Sequence, residues 1–192
     1  YPGESAGLLP HWSHWRPIGI ATMSYGYGLS VTPLQLAHAY ATIGGGGQSR
    51  PVSFLRVDTV PVGDRVLDER VSRALVHMLE SVVTPAGTGM RAAIPGYRVA
   101  GKTGTAHKLE GGSYTDRYVA VFVGFAPVSD PRLVVAVMID EPSAGKYYGG
   151  EVAAPVFAQV MAGSLRTLGV APDAPLKPVQ VARDVAAVPE SL

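Results

Sequence analysis

The stretch from Tyr118 to Asp140 limits the possible folds of this chain more than any other. Two Val-rich runs, Tyr118 to Phe125 and Leu133 to Asp140, flank Ser129-Asp130-Pro131. Val suits the pleated, half-buried surface of a sheet, while Ser, Asp and Pro supply turn chemistry. So short a connection cannot hold a crossover helix, so the two runs are expected to form an antiparallel hairpin. Leu133 to Ile139 is also the longest uninterrupted apolar run in the chain. It falls far short of the roughly 20 residues that span a membrane, and it reads as a buried strand.

The rest of the chain builds around that hairpin. Residues Tyr1 to Arg16 mix Pro, Gly and two Trp and read as an irregular loop. Thr32-Pro33-Leu34 is a helix start, because Thr caps free amides and Pro at the first helical position gives up no hydrogen bond. That helix passes through Leu36, Ala37 and Tyr40 and ends at Gly44, where four glycines begin. A second helix is expected from Asp68-Glu69, whose charges suit the positive end of the dipole. Val71, Leu75, Met78, Leu79 and Val82 recur along its expected buried face. Val99 to Ala106 reads as a short strand. A closing helix is expected from about Pro155 to Leu168, with Val156, Val160, Met161 and Leu165 inward. Pro172, Pro175, Pro178 and Pro189 punctuate the remainder, a Pro-rich tail or docked arm over 171–192 after a domain portion over 1–170. Helices, then a meander, then a closing helix predict an α/β fold in which helices pack an antiparallel sheet.

Composition removes several classes of function. The chain has 192 residues, enough for one domain or a large piece of one. Its formal net charge is +1 with scattered Lys and Arg, so no nucleic-acid footprint is present. There is no Cys, which removes disulfides, thiol chemistry and zinc-cysteine sites. No cofactor motif is found either. Gly44 to Gly47 is followed by Gln48-Ser49-Arg50, where a phosphate loop needs Lys-Ser/Thr. His11 and His14 are three apart, but the segment carries no helix signal and no third metal ligand stands nearby. His38 and His77 fall within helices as packed or surface residues. The opening Tyr1-Pro2-Gly3 has no initiator Met or signal pattern, so the chain reads as the middle of a longer polypeptide with any anchor upstream.

The segment that carries chemistry is Ala100-Gly101-Lys102-Thr103-Gly104-Thr105-Ala106. On a strand, Lys102 and Gly104 point to one face and Thr103 and Thr105 to the other. Gly104 leaves space for another backbone. Such a strand is poor core material. It suits a sheet edge that takes an extended peptide by strand addition, with ammonium and hydroxyl groups for a carboxylate. The competing reading is an ordinary Gly-containing strand with a surface Lys and two surface threonines.

The blocks around it decide between them. Pro2-Gly3-Glu4, Ala21-Thr22-Met23-Ser24-Tyr25-Gly26-Tyr27-Gly28, Thr32-Pro33-Leu34-Gln35-Leu36-Ala37, Gly87-Thr88-Gly89 and Ala100 to Ala106 occur in that order. Gly124-Phe125-Ala126-Pro127, Asp140-Glu141-Pro142, Tyr147-Tyr148-Gly149-Gly150 and Ala154-Pro155-Val156-Phe157 follow. In this order and spacing, from about Tyr1 to Val170, the chain resembles the class B penicillin-binding proteins. The resemblance is to the C-terminal part of their transpeptidase domain, most closely in the septal, division-specific type called penicillin-binding protein 3.

The resemblance implies a penicillin-binding/serine β-lactamase-like fold and a peptidoglycan D,D-transpeptidase. Such an enzyme cross-links stem peptides through an acyl-serine and is acylated by β-lactams. Its site joins Ser-x-x-Lys, Ser-x-Asn and Lys-Thr/Ser-Gly. Only the third is expected here, since the chain contains no Asn. Ser143-Ala144-Gly145-Lys146 spells Ser-x-x-Lys, but Pro142 and Gly145 make it a loop rather than a helix start. Asp140 and Glu141, adjacent on a strand, face opposite ways and read as turn residues.

By resemblance, Lys102 supports the proton network. Thr103 and Thr105 offer hydroxyls to the ligand carboxylate, Gly104 is a further ligand-binding position, and the Thr105 N–H is one of two oxyanion donors. Tyr147, Tyr148 and Gly150 edge the cleft and Tyr27 is a further wall. His107 stands where relatives often have Arg. The implied partners are stem peptides, β-lactams, the upstream part of the same protein and divisome proteins. The implied location is the periplasmic face of a bacterial inner membrane. A serine β-lactamase, a D,D-carboxypeptidase and a non-catalytic β-lactam sensor share the same strand and remain alternatives.

Overall fold

The computed structural model describes residues 3–175. Tyr1, Pro2 and residues 176–192, which include Pro178 and Pro189 of the expected tail, lie outside the described residues. The main sheet is an antiparallel meander of β3 (Ala100–Glu110), β4 (Ser113–Ala126) and β5 (Leu133–Asp140), in that spatial order. A small ladder, β1 (Gln48–Ser49) with β2 (Asp64–Arg65), lies apart. The helices are α1 (Pro17–Met23), α2 (Pro33–Gly44), α3 (Glu69–Ser81) and α4 (Gly149–Thr167). The family-type fold implied by the sequence, helices packed on an antiparallel sheet, is present.

β5 has the expected bounds, but β3 and β4 are longer than expected. Glu110 pairs with Ser113 across Gly111-Gly112, whose φ values are 57° and 83°. A two-residue hairpin turn with positive φ at both centres matches strand twist, and glycine adopts it without a Cβ clash. The flanking residues lack apolar alternation, so the glycine pair alone signalled this extension. A register shift between His107 and Leu109 bends the hairpin.

The register places Thr103, Phe122 and Val137 across from one another, and likewise Thr105, Ala120 and Ile139. This face packs on α4, where Phe122, Phe157, Met161 and Leu165 are fully buried and the Phe122 and Phe157 rings lie 4.8 Å apart. Lys102, Val123 and Ala136, and Gly104, Val121 and Met138, occupy the opposite face. Leu36 and Tyr40 of α2 approach that side.

The starts of α2 and α3 follow local chemistry, whereas rotations follow packing. Thr32 and Gln35 form a reciprocal capping box: the Gln35 N–H donates to Thr32 Oγ1 (3.1 Å) and the Thr32 N–H to Gln35 Oε1 (2.9 Å). Asp68 caps α3 through the Arg70 N–H. The expected buried face of α3 is corrected, because Val71 and Met78 are 49% and 64% exposed. Ser72 is buried instead and its hydroxyl donates to the Ile43 carbonyl (2.6 Å), which sets the rotation of the helix.

The closing helix is corrected too. α4 starts at Gly149 and runs through Pro155. Val156 and Val160 face outward and Phe157 faces inward with Met161 and Leu165. Proline at position 155 has no N–H for the carbonyl of Glu151 four residues earlier. Arg91 Nη1 donates to that carbonyl at 3.4 Å. The irregular opening holds a 3-10 turn at Trp12–His14, and α1 follows where no helix was expected.

Beyond Val170 the chain is docked as far as Ala174. Asp173 accepts the Arg98 N–H (2.7 Å) and the Ser129 N–H (3.0 Å), and the N–H groups of Asp173 and Ala174 donate to the Gly96 carbonyl. Burial alone would raise the Asp173 pKa. The two backbone N–H donors and the Arg98 guanidinium outweigh it and hold this carboxyl below its usual value. A depressed folded-state pKa contributes stability at neutral pH that is lost as pH falls through that value. Asp173→Ala should therefore cost about 1–3 kcal/mol at neutral pH. In thermal melts the deficit should persist down to about pH 3.9, the ordinary Asp range, and close only below it. A gap that is constant at all acidic pH values would remove the charged role.

Candidate active site

β3 is one of the two outer strands of the sheet, and its centre separates two clefts of about 430 Å³ each. Thr103 and Thr105 line the α4 side with Thr88, Arg91, Tyr148 and Gly150. Lys102 and Gly104 line the opposite side with Ser24, Tyr25, Gly26 and Tyr40. Thr103 borders both. Lys102 does not stay on its own face, because its Nζ donates to the Thr103 carbonyl (2.9 Å) and to Thr103 Oγ1 (3.3 Å). The ammonium thus curls around the strand edge toward the threonine side.

The two threonine hydroxyls differ. Thr103 Oγ1 lies 3.0 Å from Thr88 Oγ1. Thr105 Oγ1 accepts the Gly149 N–H at 3.0 Å. A hydroxyl that accepts one bond still carries its own proton, so Thr105 retains a donor for an anion in the cleft. The start of α4 is held close enough for this by glycine. A Cβ on Gly149 would strike the carbonyl oxygens of Val121 and Gly104, and one on Gly150 would strike the carbonyl of Thr88.

The expected aromatic edge divides. Tyr148 and Gly150 line the cleft. Tyr147 stands behind, stacked on Tyr118 (4.1 Å, 15°) and 4.6 Å from the Tyr148 ring. Tyr27 lines neither cleft and packs edge-on to Tyr25 and Tyr114. His107 Nδ1 donates to the Thr115 carbonyl (2.8 Å) and its ring leans on Tyr118 (4.5 Å), which ties it into the hairpin. Ser143 to Lys146 lie in coil between β5 and α4. Asp140 and Glu141 both pair with Lys108, and Glu141 also pairs with Arg117.

Thr88, Arg91, Tyr25 and Tyr118 were not singled out for the site. Thr88 lay within the quoted Gly87-Thr88-Gly89 block, and Tyr25 within its own block, so a signal existed for both. Nothing in the sequence marks Arg91 or Tyr118, since both reach their places through long-range packing.

An edge strand Lys-Thr-Gly-Thr beside a Gly-Gly helix start frames the site. A family profile described as the penicillin binding protein transpeptidase domain matches residues 1–162, and the chain belongs to that family. It is 53% identical over 173 residues to the peptidoglycan D,D-transpeptidase FtsI of Escherichia coli (strain K12), a match covering 90% of this chain and 29% of that protein. It is 49% identical over 177 residues to the probable peptidoglycan D,D-transpeptidase PenA of Neisseria meningitidis, covering 92% and 30%. The apo transpeptidase domain of Burkholderia pseudomallei penicillin-binding protein 3 superposes with a TM-score of 0.86 at 49% identity, covering 91% of this chain and 54% of that one. The chain therefore spans under a third of these curated relatives and about half of the solved domain.

The close approach of α4 is testable. Gly149→Ala must displace backbone rather than a side chain and should cost about 1–3 kcal/mol or more. Gly163→Ala in the same helix meets nothing within 4 Å and should be neutral or slightly stabilising. Denaturant melts of the pair should separate clearly; equal midpoints would mean that the α4–β3 contact is slack.

Proposed function

We propose that this chain is the substrate-binding part of a peptidoglycan D,D-transpeptidase that is acylated by β-lactams. One observation carries the reading: on an edge strand, Thr105 keeps an unspent hydroxyl donor beside Thr103 in an open cleft. The terminal D-alanine carboxylate of a stem peptide, or the carboxylate of a β-lactam, would accept from these hydroxyls while the peptide lies along β3. Lys102 adds positive charge at the strand edge and serves the proton network.

The reaction is acyl transfer. A serine oxygen attacks the carbonyl carbon, the C–N bond to D-alanine breaks, and the departing amine takes a proton. An amine of a second stem peptide then attacks the acyl-serine and releases it. The nucleophile comes from a part of the protein outside this chain. The Thr105 N–H and the N–H of that serine form the oxyanion hole. Gly104 gives the peptide access to the strand, and Tyr148 and Gly150 wall the cleft, with Tyr147 and Tyr27 behind.

Further apolar surface fits this division of labour. Leu8, Leu9, Trp12, Phe54 and Leu55 are each more than 60% exposed. Surface of this kind would be covered by the rest of the protein. The residues up to about 170 belong to the transpeptidase domain, and 171–192 form its C-terminal extension. We assign the protein to the periplasmic face of the inner membrane and to septal synthesis with divisome partners. No helix among the described residues is long and apolar enough to cross a membrane, so the anchor would lie elsewhere in the polypeptide.

Acylation of the native-length protein by a labelled penicillin tests the reading. Thr105→Val removes the ligand bond and also strands the Gly149 N–H. It should slow acylation roughly ten- to a hundredfold and lower the melting temperature. Thr105→Ser should recover most of both. Lys102→Ala should cost more in rate with little loss of stability. An unaltered rate in Thr105→Val would rule out this strand as the carboxylate site.

A further inference from the structure

We propose that Arg91 forms a second anion subsite in the Thr103–Thr105 cleft, taking a carboxylate of the ligand other than the one held by the two threonines. The proposal rests on the transpeptidase reading and extends it to a specificity-determining residue. Arg91 lies in the 3-10 turn Met90–Ala92. Ala92 is fully buried, and a Cβ on Gly89 would come within 2.8 Å of the Phe122 ring, so the turn is fixed against the core. From there the side chain reaches the same cleft as Thr88, Thr103 and Thr105.

What holds the guanidinium over the cleft is the proline in α4. Pro155 leaves the Glu151 carbonyl without its helical partner, and Arg91 Nη1 meets it at 3.4 Å. That distance lies beyond the usual range of about 2.7–3.2 Å, so the bond locates the group without saturating it. A guanidinium carries five N–H donors in a planar fork suited to two carboxylate oxygens. Among the described residues Arg91 has no carboxylate partner; Glu151 lines the same cleft, but its carboxylate pairs with Lys146 at 3.9 Å rather than with Arg91. Lys102 lines the other cleft and reaches the strand edge only at Thr103, whereas Arg91 is the cation among the residues that line the threonine-side cleft. The charge is therefore tethered at the cleft by one long bond and stays available to an anion.

The carboxylate can belong to the acyl donor or to the acceptor amine, and two assays on the native-length protein separate these sources. The first measures acylation by two β-lactams that differ only in a carboxylate-bearing or neutral side arm. The second measures acyl transfer to an amino acid and to its amide. The unsubstituted protein should favour the anionic member in one of the two assays. Arg91→Gln should remove that preference by roughly tenfold or more while sparing the neutral member, and Arg91→Lys should keep part of it. A preference in the first assay assigns the subsite to the donor, and one confined to the second assigns it to the acceptor. An unchanged preference in Arg91→Gln, no preference in either assay, or equal slowing of neutral and anionic ligands would overturn the subsite and leave Arg91 as a clip for the Glu151 carbonyl. If neither β-lactam acylates the unsubstituted protein, the transpeptidase reading fails before Arg91 is at issue.

Discussion

The structure depends on how closely the start of α4 approaches the backbones of β3 and β4. At Gly149 no side chain separates helix from sheet, and the peptide N–H reaches the Thr105 hydroxyl at 3.0 Å. Gly150 makes the same kind of contact with the Thr88 carbonyl. With the helix seated this way, Phe157, Met161 and Leu165 reach the sheet face beside Phe122 and the core closes. The contact that begins the core also shapes the cleft.

Because the close approach uses backbone, the Thr105 hydroxyl is spent, among the described residues, only as an acceptor. Its donor, with the Thr103 hydroxyl beside it, faces a space bounded by Thr88, Arg91 and Tyr148. Among the described residues β3 has a sheet neighbour on one side, β4, so an extended peptide has unpaired strand edge to follow. Lys102, directed by sequence periodicity to the other face, returns to the edge through the Thr103 carbonyl. A strand with opposite chemistry on its two faces thus concentrates both at its rim.

Much of this was legible in local sequence. Turn residues and Val runs placed β5, the Thr32 cap followed by Pro33 placed α2, and strand alternation put Lys102 and Gly104 opposite Thr103 and Thr105. Each rests on interactions within a few residues. The failures share one cause. Val71, Met78, Val156 and Val160 have helical spacing, yet a neighbouring element set the rotation and turned them outward. Pro155 looked like a helix start, but the Glu151 carbonyl it strands is satisfied from another part of the chain.

The sequence by itself determined the order of elements, the antiparallel hairpin and the chemical character of the Lys102–Thr105 strand, because periodicity, capping and turn preference are local. Its motif blocks also indicated the family, as order and spacing survive without coordinates. Only the tertiary structure decided what each threonine hydroxyl bonds, that Tyr148 rather than Tyr27 meets the cleft, and that Arg91 enters it. Those outcomes depend on contacts between residues far apart in sequence, Thr105 with Gly149, Thr103 with Thr88 and Arg91 with Glu151. No local preference encodes such contacts, because packing of α4 against the sheet fixes their distances.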